Sequence, residues 1–219
     1  MKVAIIIPAF NEEKNIQGLL EKLTFHSKDD IVVVDDGSSD GTTGIVTRFG
    51  ATLLQHETNR GKGMAHRTGF AYAVRMHYDG VITMDADGQH APGEVEYFLK
   101  EANRADILVG TRRMSLANMP LLRYLTNKVT SLVVSLIASQ RVFDSQSGFR
   151  YLSIDVLRRV PLRTTRFQTE SEILIKAGRM GFTIAAIPIS TIYREEKSYI
   201  NPLVDTGRFI GLAARSLFE

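Results

Sequence analysis

The chain of 219 residues has no cysteine, and its five histidines are scattered without a His-x-x-x-His pair. Neither a disulfide framework nor a thiolate metal site can form, a zinc site is disfavoured, and the composition fits a reducing, cytoplasmic compartment. A strong charge bias is also lacking. The formal net charge is +3 although the pI is about 9.2, too small an excess to argue for a nucleic-acid partner. Long apolar runs are absent: Leu121 to Ile137 is the longest stretch, and Arg123, Asn127 and Lys128 interrupt it, which excludes a membrane-spanning helix. Met1 to Pro8 is too short for the apolar region of a signal peptide. A P-loop, a serine nucleophile elbow, internal repeats, low-complexity tracts and a clear linker are missing as well.

What is present is an ordinary globular composition, 44% hydrophobic and 23% charged, in a chain long enough to bury a full core. Apolar runs at Val3–Ile7, Ile31–Val34, Ala51–Gln55, Val81–Met84 and Ile107–Gly110 read as strands, with helical spacing between them. That alternation predicts an α/β domain with a mainly parallel central sheet flanked by helices. The second half is less regular. It reads as a helix over Leu121–Ile137, a loop from Arg141 to Arg150, a helix ending at Met180, and an edge strand within Thr183–Ile192 broken by Pro188. A charged loop, Tyr193–Asn201, and an amphipathic helix, Pro202–Phe218, follow.

Ligands bind at the carboxyl ends of strands in such sheets, and three of those ends are acidic: Asn11-Glu12-Glu13, Asp35-Asp36 and Asp85-Ala86-Asp87. Two carboxylates one residue apart ask for a hard cation, and a magnesium or manganese ion held by Asp87, with or without Asp85, would keep positions open for phosphate oxygens. An acidic turn after a strand is the plain alternative. Asp35 and Asp36 suit hydrogen bonds from a base or ribose, or equally an Asp-Gly turn. Gly61-Lys62-Gly63 opens a helix, where free N–H groups and a lysine would face an anion, although such a turn is often only structural. Arg112 and Arg113 leave a strand at the same sheet edge, and Arg150, Arg194 and Lys197 lie in later loops. Singly these are solvated surface charges; together in one cleft they would clamp a phosphate.

The ordered set Pro8-Ala9-Phe10-Asn11-Glu12, Val34-Asp35-Asp36-Gly37-Ser38, Asn59-Arg60-Gly61-Lys62-Gly63, Asp85-Ala86-Asp87-Gly88-Gln89-His90 and Gly110-Thr111-Arg112 resembles family 2 glycosyltransferases of the GT-A fold. The branch is that of dolichyl- or polyprenyl-phosphate mannose and glucose synthases. Asp144-Ser145-Gln146-Ser147-Gly148-Phe149-Arg150 and Tyr193–Ser198 extend the likeness over nearly the whole chain. It implies one catalytic domain, residues 1–113 binding the nucleotide sugar and residues 114–219 the acceptor. Pro8, Phe10, Glu12, Val34 and Asp36 would line base and ribose. Lys62, Asp85, Ala86, Asp87 and Gln89 would meet the diphosphate, with Asp85, Asp87 and Gln89 on Mg2+ or Mn2+. Arg112, Ser147 and Arg150 would approach the acceptor phosphate, with Asp87, Arg112 and Arg150 as the catalytic set, and Arg194 and Lys197 would close over the donor.

By the same resemblance the enzyme moves a hexose, with inversion, from GDP-mannose or UDP-glucose to polyprenyl or dolichyl phosphate. Glu170 and Glu172 read as helix-start charges. The amphipathic stretches Leu121–Ile137 and Pro202–Phe218 leave peripheral contact with the cytoplasmic face of a membrane open, against simple packing on the core. Rival readings are transfer to a soluble sugar or protein hydroxyl, a non-catalytic nucleotide-sugar-binding subunit, and a nucleotidyltransferase.

Overall fold

The computed structural model describes residues 1–23, 30–112, 121–190 and 202–218. Its centre is a seven-stranded sheet in the order β3-β2-β1-β4-β6-β5-β7. The strands are β1 (Val3–Ala9), β2 (Ile31–Asp35), β3 (Thr52–Gln55), β4 (Gly80–Thr83), β5 (Ile107–Arg112), β6 (Arg150–Ser153) and β7 (Ile184–Ile189). All neighbours pair in parallel except β6, which runs antiparallel to both β4 and β5.

The central strands are apolar on both faces because both faces are covered. Along β1, Ile5 and Ile7 enter one core and Ala4 and Ile6 the other. The first core takes Ile16, Leu19 and Leu20 of α1 (Ile16–Lys22), Val46 of α2 (Thr42–Phe49), and Val95 and Phe98 of α4 (Val95–Glu101). The second takes Ala65, Phe70 and Ala73 of α3 (Lys62–Arg75), Val134 of α5 (Leu121–Ala138), Val156 of α6 (Ile154–Arg159), Ile173 to Ile175 of α7 (Thr169–Arg179), and Leu212 of α8 (Pro202–Phe218). Pro188 does sit in an edge strand, β7, opposite Thr111.

Two features position the site. From β1 the chain steps outward to β2 and β3, then crosses back so that β4 flanks β1 on its other side. This reversal opens a crevice at the carboxyl ends of β1 and β4. Antiparallel β6 then enters the sheet at the edge where β4 and β5 leave it, Arg150 standing opposite Thr83 and Val109. The stretch read as a loop up to Arg150 therefore ends in a strand, which carries residues 144–149 to the crevice. Because β6 lies between β4 and β5, residues from both halves of the chain share one sheet.

Candidate active site

The turns after β1 and β2 are tied together. Asn11, at φ 56°, donates its amide to Ser38 Oγ (2.9 Å) and accepts the Ser39 amide on Oδ1 (2.9 Å). The Glu12 amide donates to Thr42 Oγ1 (2.8 Å), and Glu12 Oε2 accepts from Asn15 (3.0 Å). Pro8 is buried opposite Val34, and Phe10 is half-buried at the strand end.

Asp36 lies in this cluster, but other groups already hold it. Its Oδ1 accepts the Arg60 amide (2.9 Å) and faces His56 Nδ1 (2.6 Å), and its Oδ2 accepts the Gly61 amide (2.7 Å). With only 3% of its surface exposed, it is the post from which the turn into α3 hangs. Asp35 is likewise engaged, by Ser38 and by Thr43 Oγ1 (2.8 Å). Val34 is fully buried in the second core, opposite Pro8.

That turn delivers Lys62 to the head of α3 through Gly61, whose φ of 95° suits glycine. Lys62 Nζ sits 2.7 Å from Asp85 Oδ1 and 2.6 Å from Glu170 Oε1. Burial alone would lower the lysine's pKa, but the two carboxylates outweigh it and hold the value above normal. Burial would raise Asp85, and Lys62 instead holds it well below the usual carboxylate range. Gly148 packs directly on the Asp85 carboxylate: a Cβ there would meet both oxygens at 2.6 Å. Nearby His66 is buried and pushed down to about 3 by burial and by the Lys62 cation, so it is a neutral imidazole. His90 accepts the Asp85 amide on Nδ1 (3.3 Å) and stacks on Phe149.

Asp87 is half-buried two residues on, its Oδ1 accepting the Gln89 amide (2.9 Å); Ala86 between the two carboxylates is buried and Gln89 half-buried. Across the crevice Arg112 forks onto Asp144, Nε to Oδ2 at 2.8 Å and Nη2 to Oδ1 at 3.0 Å. Burial would lower the guanidinium's pKa, but the bonds to Asp144 raise it. Arg150 was expected on an acceptor phosphate. It is 2% exposed, and its nitrogens donate to the carbonyls of Ser147 (2.7 Å), Glu170 (2.5 Å) and Ser145 (2.8 Å). It thus clamps the 144–148 loop from beneath. Ser147 Oγ is buried and has no hydrogen-bond partner among the described residues. Arg194 and Lys197 lie outside the described residues.

The structure therefore brings Lys62 to Asp85 beyond the end of β4, with Asp87 two residues on and Arg112 of β5 within electrostatic reach of Asp85, and sets Pro8, Phe10, Glu12 and Asp36 at the β1–β2 ends. Sequence reasoning missed two partners, Glu170 and Asp144. Glu170 is no mere helix-start charge. It stands in the first two turns of α7, buried from Thr169 to Ile175, and four polar residues leading into Ile-Leu-Ile were the available signal. Glu172 is a separate case. It accepts the amides of Arg163 and Thr164 and pairs with Lys176 (2.6 Å), which hold its pKa low against burial.

A mostly parallel α/β sheet with acidic turns at its switch point is the GT-A arrangement of glycosyltransferases. Glucosyl-3-phosphoglycerate synthase from Mycobacterium tuberculosis, solved in complex with UDP, shares it over 98% of this chain and 79% of its own, at a TM-score of 0.78 and 19% identity. The glycosyl transferase family 2 profile matches residues 4–165. Over 217 residues the chain is 35% identical to the UDP-N-acetylglucosamine--dolichyl-phosphate N-acetylglucosaminyltransferase of Methanococcus voltae, covering 88% of this chain and 86% of that one. It is 29% identical over 207 residues to the undecaprenyl-phosphate mannosyltransferase of Micrococcus luteus, covering 89% and 85%. The chain belongs to glycosyl transferase family 2 and is a glycosyltransferase.

Proposed function

We propose that the enzyme moves a hexose from a nucleotide diphosphate sugar to polyprenyl phosphate. The observation that carries this reading is the ion pair of Lys62 with Asp85, two residues before Asp87 and within electrostatic reach of Arg112, in a chain whose relatives are named as lipid-phosphate sugar transferases. The base and ribose would lie on Phe10 and Glu12 beyond the β1 end, with Asp36 shaping the pocket through the turn it holds.

The donor set fits a divalent ion that arrives with its substrate. Among the described residues no group of three His, Asp or Glu side chains is placed to hold a metal. Asp87 offers a half-exposed carboxylate, and magnesium and manganese commonly take one or two carboxylates with the rest of their shell from phosphate and water. When bound, such an ion neutralises the charge that develops on a departing diphosphate. Asp85, paired with Lys62, sets the charge of the adjoining wall, and Gln89 fixes Asp87 through its amide.

In the transfer, an oxygen of the lipid phosphate attacks the anomeric carbon while that carbon's bond to the diphosphate oxygen breaks. The bonding pair leaves with the nucleoside diphosphate, and the anomeric centre inverts. A phosphate is already ionised at neutral pH, so no general base is needed; alignment and cationic neutralisation carry the rate. Arg112, bonded through both ends of its fork to Asp144, would be the cation that meets the incoming phosphate. Arg150 keeps the 144–148 loop in shape for it.

The motif likeness leans to GDP-mannose over UDP-glucose, and the Methanococcus voltae relative adds UDP-N-acetylglucosamine through its name. A thermal-shift screen of GDP, UDP and their sugars with and without manganese selects among them. A ligand at about a hundred times its Kd adds about 2.7 kcal/mol to apparent stability. One nucleotide should raise Tm, and more so with manganese; no shift with any of them would overturn the donor assignment.

A further inference from the structure

A cavity lies away from the crevice, between α7, α8 and the segment at residues 163–164. Its volume of about 380 Å3 falls within the range of about 300–1,000 Å3 that small-molecule sites occupy. Gln168, at the head of α7, lines it with Glu172 and Lys176. At 3.6 residues per turn these three share one side of the helix, about 160° from Glu170. Glu170 meets Lys62, so the body of α7 stands between the cavity and the Lys62–Asp85 pair. The rotation of α8 is fixed as well. Leu212 is buried in the second core and Arg179 donates to the Ser216 carbonyl, with Arg208 and Arg215 left on the cavity side.

Charge identifies the occupant. Among the described residues the lining holds four cations, Arg163, Lys176, Arg208 and Arg215, against one carboxylate, Glu172. That carboxylate is engaged locally: Lys176 Nζ stands 2.6 Å from its Oε1, and its Oε2 accepts the Thr164 amide (2.9 Å) and hydroxyl (2.7 Å). No other carboxylate in the lining faces the three arginines. Like charges gathered at one place repel one another, and a doubly charged phosphate monoester would offset them through the planar forks of the guanidinium groups. A further group narrows the chemistry. Gln168 Oε1 is buried, has no hydrogen-bond partner among the described residues, and does not cap α7. A buried acceptor asks for a donor; the oxygens of an ionised phosphate accept, whereas a hydroxyl donates.

We propose that the α7–α8 cavity is a second binding site, which takes a small water-soluble phosphate ester carrying hydroxyl groups, of the sugar phosphate class. The phosphate lies among the arginines and a hydroxyl donates to Gln168 Oε1. The segment that lines the cavity continues to Thr165, whose carbonyl accepts the Met64 amide (3.0 Å) two residues after Lys62. The occupant therefore rests on the segment that braces the head of α3. Binding itself requires neither the donor nor the transfer reaction, so its test is independent of the proposed function.

The test is calorimetric titration of the whole protein, without nucleotide or metal, using glucose 6-phosphate as the probe and inorganic phosphate and glucose as controls. The probe should bind at one site, more tightly than inorganic phosphate, and glucose should give no heat. Binding should weaken at least about tenfold in Arg208→Ala/Arg215→Ala. Gln168→Leu should weaken the probe while leaving inorganic phosphate unchanged. Thermal unfolding without ligand should stay near wild type in both variants. Wild type that gives no heat with the probe, or a double-arginine variant that binds it as tightly, would overturn the inference. So would inorganic phosphate bound as tightly as the probe, which would mark an adventitious ion only. Displacement of the probe by a short-chain polyprenyl phosphate would overturn it as well, since the cavity would then belong to a lipid headgroup.

Discussion

Lys62→Met removes the cation shared by Asp85 and Glu170 while keeping most of the side chain's volume. In the wild type both carboxylates lie within 2.7 Å of Lys62 Nζ, and the three side chains are 21%, 23% and 10% exposed for Lys62, Asp85 and Glu170. Breaking a buried pair costs about 3–5 kcal/mol, and this residual exposure argues for the lower end, about 3 kcal/mol. The pH dependence distinguishes this cause from lost packing. Asp85 is held below its ordinary 3.8 in the folded wild type, so the stability it contributes is present above about pH 4 and is lost only as pH falls further. Without the lysine, burial raises Asp85 instead, and the unfolded chain releases that proton more readily than the folded one. The deficit is therefore largest at neutral pH and narrows towards about pH 4.5 as the Asp85 carboxyl protonates. Urea unfolding at both pH values measures it, and adding Glu170→Gln should restore part of the loss, since the two changes act on one contact. A variant as stable as wild type at neutral pH, or a deficit that does not change with pH, would refute the reasoning.

Gly148→Ala brings a Cβ to 2.6 Å from both Asp85 oxygens; it should cost about 1–3 kcal/mol of stability and raise the donor's KM, read by thermal unfolding and steady-state kinetics. Arg112→Lys keeps the charge but loses the fork onto fully buried Asp144. It should lower stability by about 1–2 kcal/mol, roughly 2–8 °C in Tm, and raise the acceptor's KM. His66, pushed down to about 3, stays neutral in the fold. Its contribution is complete above about pH 6.5 and is lost as pH falls below that, by up to about 1.4 kcal/mol per unit; an imidazole resonance titrating near pH 6.5 in NMR would contradict it. Asp87→Ala should abolish metal-dependent turnover with little change in unfolding, and wild-type-like turnover would remove it from the metal.

The strands at the sheet's centre were readable because burial on both faces makes them continuous apolar runs, as in β1, β2 and β5. Strand β6 was not: it is four residues long and opens with an arginine, so no hydrophobic pattern marks it. Its antiparallel insertion is a tertiary outcome, and through it the 144–148 loop reaches Asp85. Asp85, Asp87, Lys62 and Arg112 were legible from ordered motifs. Their partners were not, because Glu170 and Asp144 arrive from distant parts of the chain. The same limit applied to the bonds that Arg150 donates to the carbonyls of Ser145, Ser147 and Glu170, and to those that Asp36 accepts from the Arg60 and Gly61 amides, which only the fold brings together. For α5 the stripe was visible in sequence, but which side faces solvent, with Leu132 and Leu136 exposed and Ser131 bonded to the Ser145 amide, was set by the fold.

The central claim is the transfer of a hexose to a lipid phosphate, and following a labelled sugar tests it most directly. The protein is incubated with radiolabelled nucleotide sugar, manganese and polyprenyl phosphate, and the mixture is then extracted with organic solvent. Label moving into the organic phase, dependent on metal and on Asp87, is the predicted result. Label that turns over yet stays in water-soluble products would contradict the claim.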